Sequence, residues 1–141
     1  MKKVLLATVS ACSIFLLVSC GGNSNEPTTR KNPYASAESG EAIYKRTCFA
    51  CHQLDGKGIA NTFPPLAKSD FITDRVQTIT QIIKGKSGEV TVNGNKFNNV
   101  MPPQGLNDEE IAAVLTYMYS NFGNSGAPVT ADEVKAVRAK L

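Results

Sequence analysis

Cys48-Phe49-Ala50-Cys51-His52 decides how this 141-residue chain is read. His52 is the only histidine in the sequence, and there are four cysteines. At that cysteine content, a given histidine has cysteines both one and four places before it with a chance of roughly one in a thousand. The pattern therefore asks for a chemistry that uses two thiols and one imidazole together. A zinc site needs four ligands, and no second Cys/His cluster follows the leader described below. A redox dithiol also uses C-x-x-C, but it expects a βαβ context that is absent here. A disulfide fits an oxidising compartment yet leaves His52 unexplained. These three readings remain as weaker alternatives.

C-x-x-C-H is the attachment signature of c-type haem. The thiols of Cys48 and Cys51 add across the two haem vinyl groups, and His52 offers an imidazole nitrogen to the iron. One covalently bound haem c is the expected cofactor. A sixth iron ligand must come from elsewhere, and two methionines lie beyond the leader. Met118 sits on the apolar stripe of a long helix and reads as core. Met101 lies in Asn99-Val100-Met101-Pro102-Pro103, a loop stiffened by two prolines, and is the expected ligand. Its bland alternative is a methionine packed beneath a loop.

Helices are expected on both sides of the motif. Ala37–Thr47 places Ile43, Tyr44, Thr47 and Cys48 on one face, and Gly40 within it suggests a second helix crossing close by. Residues 53–70, with Gly56, Gly58, Pro64 and Pro65, read as ordered loop. Asp74–Lys84 repeats Val76, Ile79, Ile82 and Ile83 at helical spacing and ends at Gly85. Val90–Val92, Asn93-Gly94 and Asn95–Phe97 spell a hairpin with a two-residue primed turn. Asn107 caps the strongest helix, with Glu110 at N3 and a stripe of Ile111, Val114, Leu115, Met118 and Phe122 before Gly123. Thr130 and Glu133 open a last helix over Ala131–Leu141, whose simplest role is packing against the domain.

Lys2 and Lys3 precede a predominantly apolar run, Val4–Val18, of signal-peptide rather than membrane-spanning length. It ends in Leu17-Val18-Ser19-Cys20, which resembles the lipobox of bacterial lipoproteins. On that resemblance Cys20 is lipidated and becomes the first residue, and Cys12 is lost with the leader. Removing residues 1–19 lowers Lys plus Arg from 15 to 13 against 12 Asp plus Glu. The remaining net charge of about +1 argues against nucleic acid and against an electrostatic funnel. Residues 20–36 are poor in apolar side chains and read as a flexible tether. Apolar residues at 42% and charged residues at 19% are ordinary for a soluble domain and exclude collagen, coiled coil and full-length disorder.

From about Ala37 to Gly123 the chain resembles a class I cytochrome c of the small bacterial, periplasm-facing kind. Gly40-x-x-Ile43-Tyr44-x-x-x-Cys48 is similar to that family's N-terminal helix running into the haem motif. Phe63-Pro64-Pro65-Leu66 is similar to its proline turn, which implies that the Pro64 carbonyl accepts a hydrogen bond from His52. Met101-Pro102 looks like its ligand loop, and Leu106 through Tyr117 resembles its C-terminal helix. The resemblance implies an all-α fold of three to five short helices wrapped around a covalently attached haem, with a small β-hairpin before the Met ligand loop. The expected organisation is a lipoprotein signal peptide at 1–19, a tether at 20–36, a cytochrome c domain at 37–123 and a C-terminal extension at 124–141.

Six-coordinate iron leaves no place for a small-molecule substrate, so an electron carrier is expected rather than an enzyme. The alternative is a haem enzyme, or a gas or peroxide sensor, with a displaceable Met101. Expected partners are an oxidase, reductase or dehydrogenase, and a membrane reached through the lipid. Phe63, Leu66, Ile83, Phe97 and Leu115 are candidates for the apolar wall around the ring, which raises the potential. Phe49, Ala50, Pro102, Pro103 and Gln104 are expected at an uncharged rim, where Lys57, Lys68 or Lys86 is also able to stand.

Overall fold

The computed structural model describes residues 38–141. The expected signal peptide and tether, with Cys12, Cys20 and Ala37, lie outside the described residues. Among the described residues there are five α-helices and one two-stranded sheet. They run α1 Gly40–Thr47, α2 Phe49–His52, a 3-10 turn Phe71–Thr73, α3 Arg75–Lys84, β1 Val90–Val92, β2 Asn95–Phe97, α4 Asp108–Ser120 and α5 Ala131–Arg138. The mainly helical chain with one small hairpin matches the expected class.

The helix starts follow from side-chain caps. Ser39 Oγ accepts the Ala42 N–H at 3.2 Å, so α1 begins at Gly40 rather than at Ala37. In α4, Asn107 Oδ1 accepts the Glu110 N–H at 2.9 Å while Glu110 Oε2 accepts the Asn107 N–H at 2.8 Å. This reciprocal pair satisfies two donors that a helix otherwise leaves open. Gly40 then lets α1 cross α4 at contact distance: a Cβ there would stand 2.1 Å from Ala113 O. Ile43 and Tyr44 are buried in that crossing, against a core that includes Ile111, Val114 and Leu115.

Two stripe positions differ from expectation. Val76 is 61% exposed, and Thr78 is buried in its place. The buried face of α3 is centred on Ile79 and Ile82, and Thr78 satisfies its own hydroxyl by donating to Asp74 O at 2.7 Å. Phe122 lies beyond α4, which ends at Ser120 and not at Gly123. Asn121 is extended and Phe122 has φ +58°, yet its ring still packs 5.1 Å from Tyr44 and 5.6 Å from Tyr117.

The hairpin turn has φ +49° at Asn93 and +78° at Gly94, the pair of positive angles that a primed turn requires. Asp70 and Asn93 exchange backbone-to-side-chain hydrogen bonds of 3.0 and 2.8 Å, which pins the turn to the loop before α3. α5 is shorter than the predicted Ala131–Leu141. Thr130 Oγ1 accepts the Glu133 N–H at 3.1 Å, while the Glu133 carboxylate turns to Arg75, also at 3.1 Å. Val129, Val134 and Val137 are buried in the same core as α1 and α4, so this last segment packs into the domain.

Candidate functional site

Cys48 follows α1 directly, and its carbonyl accepts the His52 N–H at 3.0 Å. Positions i, i+3 and i+4 of one helical turn share a face. Cys48, Cys51 and His52 therefore line the same cleft. The structure places no disulfide between Cys48 and Cys51, which leaves both sulfurs to face the cleft. Burial pushes the Cys48 thiol up to about 11, against the pull of Arg46. Among the described residues no group of three or more His, Cys, Asp or Glu is placed to hold a metal ion alone, which leaves a zinc site short of ligands.

His52 Nδ1 lies 2.9 Å from Pro64 O. A carbonyl only accepts, so Nδ1 carries the proton and Nε2 keeps its lone pair. Burial holds the His52 pKa below its ordinary value, outweighing the Pro64 bond that raises it, and so favours a neutral ring able to bind a metal. Gly58 makes this turn possible. A Cβ on it would stand 2.3 Å from Phe63 O and 2.5 Å from Pro64 O, and its φ is +67°. In the sequence Gly58 stands only as one of the glycines of the 53–70 loop, with no role of its own. The signal was there in a glycine a few residues before a double proline.

Met101 lines the cleft from the loop after the hairpin. Its N–H donates to Lys86 O at 2.9 Å, and its carbonyl accepts the Lys86 N–H at 2.8 Å. Gly85 admits this approach, since a Cβ there would lie 2.5 Å from Met101 O. Asn99 Nδ2 donates to Thr62 O at 3.1 Å and so ties the Met101 loop to the Pro64 turn, a link with no sequence signature. Met118, expected as core, is buried and also reaches the cleft wall.

The cleft encloses about 1170 Å³, counting space open at its mouth. Phe63, Leu66 and Phe97 line it as expected. Ile83 and Leu115 do not: Leu115 is fully buried among the helices, and Ile83 packs on the core from outside. Phe71, Ile72, Ile82, Val92 and Val114 supply the wall instead. Lys86 is the one of the three lysines that lines the cleft, and its ammonium donates to Ser87 O at 2.6 Å. Lys57 pairs with Asp55 at 3.1 Å, and the Lys68 stem lies over Gly123.

These residues fit a porphyrin held through two thioethers. The walls are largely apolar, with an imidazole on one helical turn and a thioether on a separate loop. Thr47 Oγ1 and Gln81 Oε1 belong to lining residues and are buried without a protein partner, which suits a ligand with polar groups of its own.

A family model described as Cytochrome c matches residues 37–121. The chain is similar to Cytochrome c-552 of Thermus thermophilus, at 39% identity over 72% of this chain and 85% of that protein. It is similar to Cytochrome c-551 of Bacillus subtilis, at 27% identity over 81% of this chain and 91% of that protein. It also matches the fructose dehydrogenase cytochrome subunit of Gluconobacter japonicus, at 36% identity over 71% of this chain and 22% of that larger protein.

Proposed function

The chain belongs to the cytochrome c family and carries covalently bound haem c, and on that premise we propose that it is a lipid-tethered carrier of single electrons between periplasm-facing redox partners. Cys48 and Cys51 would hold the haem, and His52 and Met101 would be the ligands of its iron. When bound, the haem supplies a one-electron iron couple.

The protein's own residues do the rest. The Pro64 carbonyl fixes the tautomer and direction of His52 and raises its basicity. The thioether of Met101 favours ferrous iron and so raises the potential. The apolar wall, including Phe63, Leu66 and Phe97, excludes water and acts in the same sense. Loops clamped at Gly58 and Gly85 hold both ligands still, which keeps the reorganisation cost of electron transfer small. The observation that supports this reading best is the 2.9 Å His52–Pro64 contact in a cleft that Met101 also lines.

The match to part of a fructose dehydrogenase cytochrome subunit supports a dehydrogenase among the partners. No helix among the described residues is long and apolar enough to cross a membrane. Acylation of Cys20 would supply the attachment, with residues 20–36 as tether, 37–123 as the electron-transfer domain and 124–141 as its C-terminal extension.

A redox titration followed by absorbance tests the carrier. One reversible one-electron wave is expected, with ferrous protein inert to carbon monoxide at neutral pH. Rapid carbon monoxide binding would favour the sensor or enzyme reading instead. Labelling with a fatty acid that is lost in Cys20→Ala tests the tether; retained label in that variant would refute it.

A further inference from the structure

We infer that Arg138 of α5 is a positioning residue for the Met101 loop, locking the loop's far end and so setting how readily the methionine leaves the iron. The inference rests on the Met101 assignment proposed above. The near part of the loop is fixed by the paired Met101–Lys86 bonds, and the Gln104 N–H donates to Ile82 O at 3.1 Å. Gly105 follows with φ +66° and open space around it. Leu106 is then buried, and it lines the cleft.

Arg138 spans this joint. Its Nη2 donates to Leu106 O at 3.0 Å, and its Nε donates to Asp108 Oδ1, in the first turn of α4, at 2.7 Å. One guanidinium fork thus ties the last loop residue before the Asn107 cap to the helix behind it. Both bonds are charge-assisted, and both are part-buried.

α5 is held firmly enough to serve as an anchor. Val134 and Val137 are buried, and Arg75 grips Glu133 at 3.1 Å as well as the carbonyls of Ala127 and Pro128. α5 also lies past residue 121, where the family match ends. With the fork removed, Gly105 becomes a free hinge between Gln104 and α4. The loop opens from that side, the iron–sulfur bond breaks more often, and an added imidazole forms an iron–nitrogen bond in its place. No electron or proton is exchanged in that step.

The test uses the full-length haem-loaded protein with Arg138→Gln and Arg138→Lys. A lysine keeps the charge beside Asp108, but its single ammonium lacks the rigid fork that spans Asp108 and Leu106 O together. Both variants should show faster hydrogen exchange confined to the amides of 104–106. Both should show displacement of the ferric sixth ligand by imidazole about tenfold faster than wild type, the size expected when a charge-assisted bond is lost. Arg138→Lys should lower the thermal midpoint by no more than the several degrees that loss of one such bond costs, and the change in exchange confined to 104–106 is what separates positioning from general stability.

Unchanged exchange and displacement in both variants would overturn the inference. So would an increase spread evenly over α1 and α4, which marks a merely structural residue. A wild-type protein without the red-edge absorption of sulfur-ligated ferric haem would overturn the Met101 assignment and the inference with it. A wild type that has the band, with variants that behave like it, would overturn the inference alone.

Discussion

Gly40→Ala tests the helix crossing on which the haem motif is mounted. In an isolated helix this change is favourable, by up to about 1 kcal/mol. Here the added carbon would meet Ala113 O at 2.1 Å, Ala113 C at 2.7 Å and Tyr117 Cβ at 2.8 Å. Two of those atoms are backbone, so no side-chain rotation relieves the overlap. Cβ contacts in real proteins essentially never fall below 3.0 Å, so α1 and α4 must part by about 0.9 Å. Separation unpacks Ile43 and Tyr44 from Ile111 and Leu115, all buried in one core. Overpacking of this kind typically costs about 1–3 kcal/mol, and loosened packing adds to it. We expect a net loss of about 2 kcal/mol, read by calorimetry on the haem-loaded protein as a fall of roughly 10 °C in the melting temperature. A variant as stable as wild type, or more stable, would refute the crossing geometry.

Tyr44→Phe removes the donation from Tyr44 Oη to Gln53 O at 2.7 Å while keeping the ring, and should cost about 1 kcal/mol at neutral pH by chemical denaturation. Burial raises the Tyr44 pKa above its ordinary 10, so its share of stability is intact below pH 10 and is lost as pH rises beyond it. The gap between wild type and variant should therefore narrow in alkali, and a constant gap would count against it. Gln53 has φ +61° and ψ +163°, a region nearly reserved for glycine, so Gln53→Gly should stabilise by about 1 kcal/mol despite glycine's entropy; destabilisation would show that the Gln53 side chain matters more than the strain. Phe49 and Val100 are 43% and 67% exposed, and Pro102 and Pro103 are exposed beside the cleft. Electron self-exchange, measured by NMR line broadening, should change less than about threefold as the Debye length falls from about 30 to about 8 Å; a steep dependence would reveal a charged face. A chain with both Cys48→Ser and Cys51→Ser should be largely unfolded without haem, and a cooperative melt would contradict that.

Local chemistry was legible in the sequence where a few neighbouring residues decide it. The Asn107–Glu110 box, the Asn93-Gly94 turn and the Thr130 cap needed no knowledge of distant partners, and Gly40 announced a crossing because it is costly in a helix unless something needs the space. Burial by a distant partner was not legible. Val76 fits the apolar period of α3 as well as Ile79 does, and only the placement of the cleft and core decides that Thr78 faces inward. Phe122 reads as one more turn of α4, yet Asn121 leaves the helix with its side-chain Nδ2, in place of a backbone N–H, donating to Tyr117 O at 2.8 Å. Around the site, the cysteines and His52 stood out by spacing alone. Gly58, the Asn99–Thr62 link and the reach of α5 to Leu106 depend on pairs far apart in the chain, where no period or motif points the way.

The most direct measurement is the ferric absorption spectrum, with intact mass, of wild type, Met101→Ala and Met118→Leu. Met118 is the decisive control, because it lines the same cleft as Met101. The mass should equal the processed chain plus one haem, with the weak red-edge band present in wild type and Met118→Leu and absent in Met101→Ala. A mass without haem, or a band that survives in Met101→Ala, would contradict a haem stapled at Cys48 and Cys51 and held between His52 and Met101.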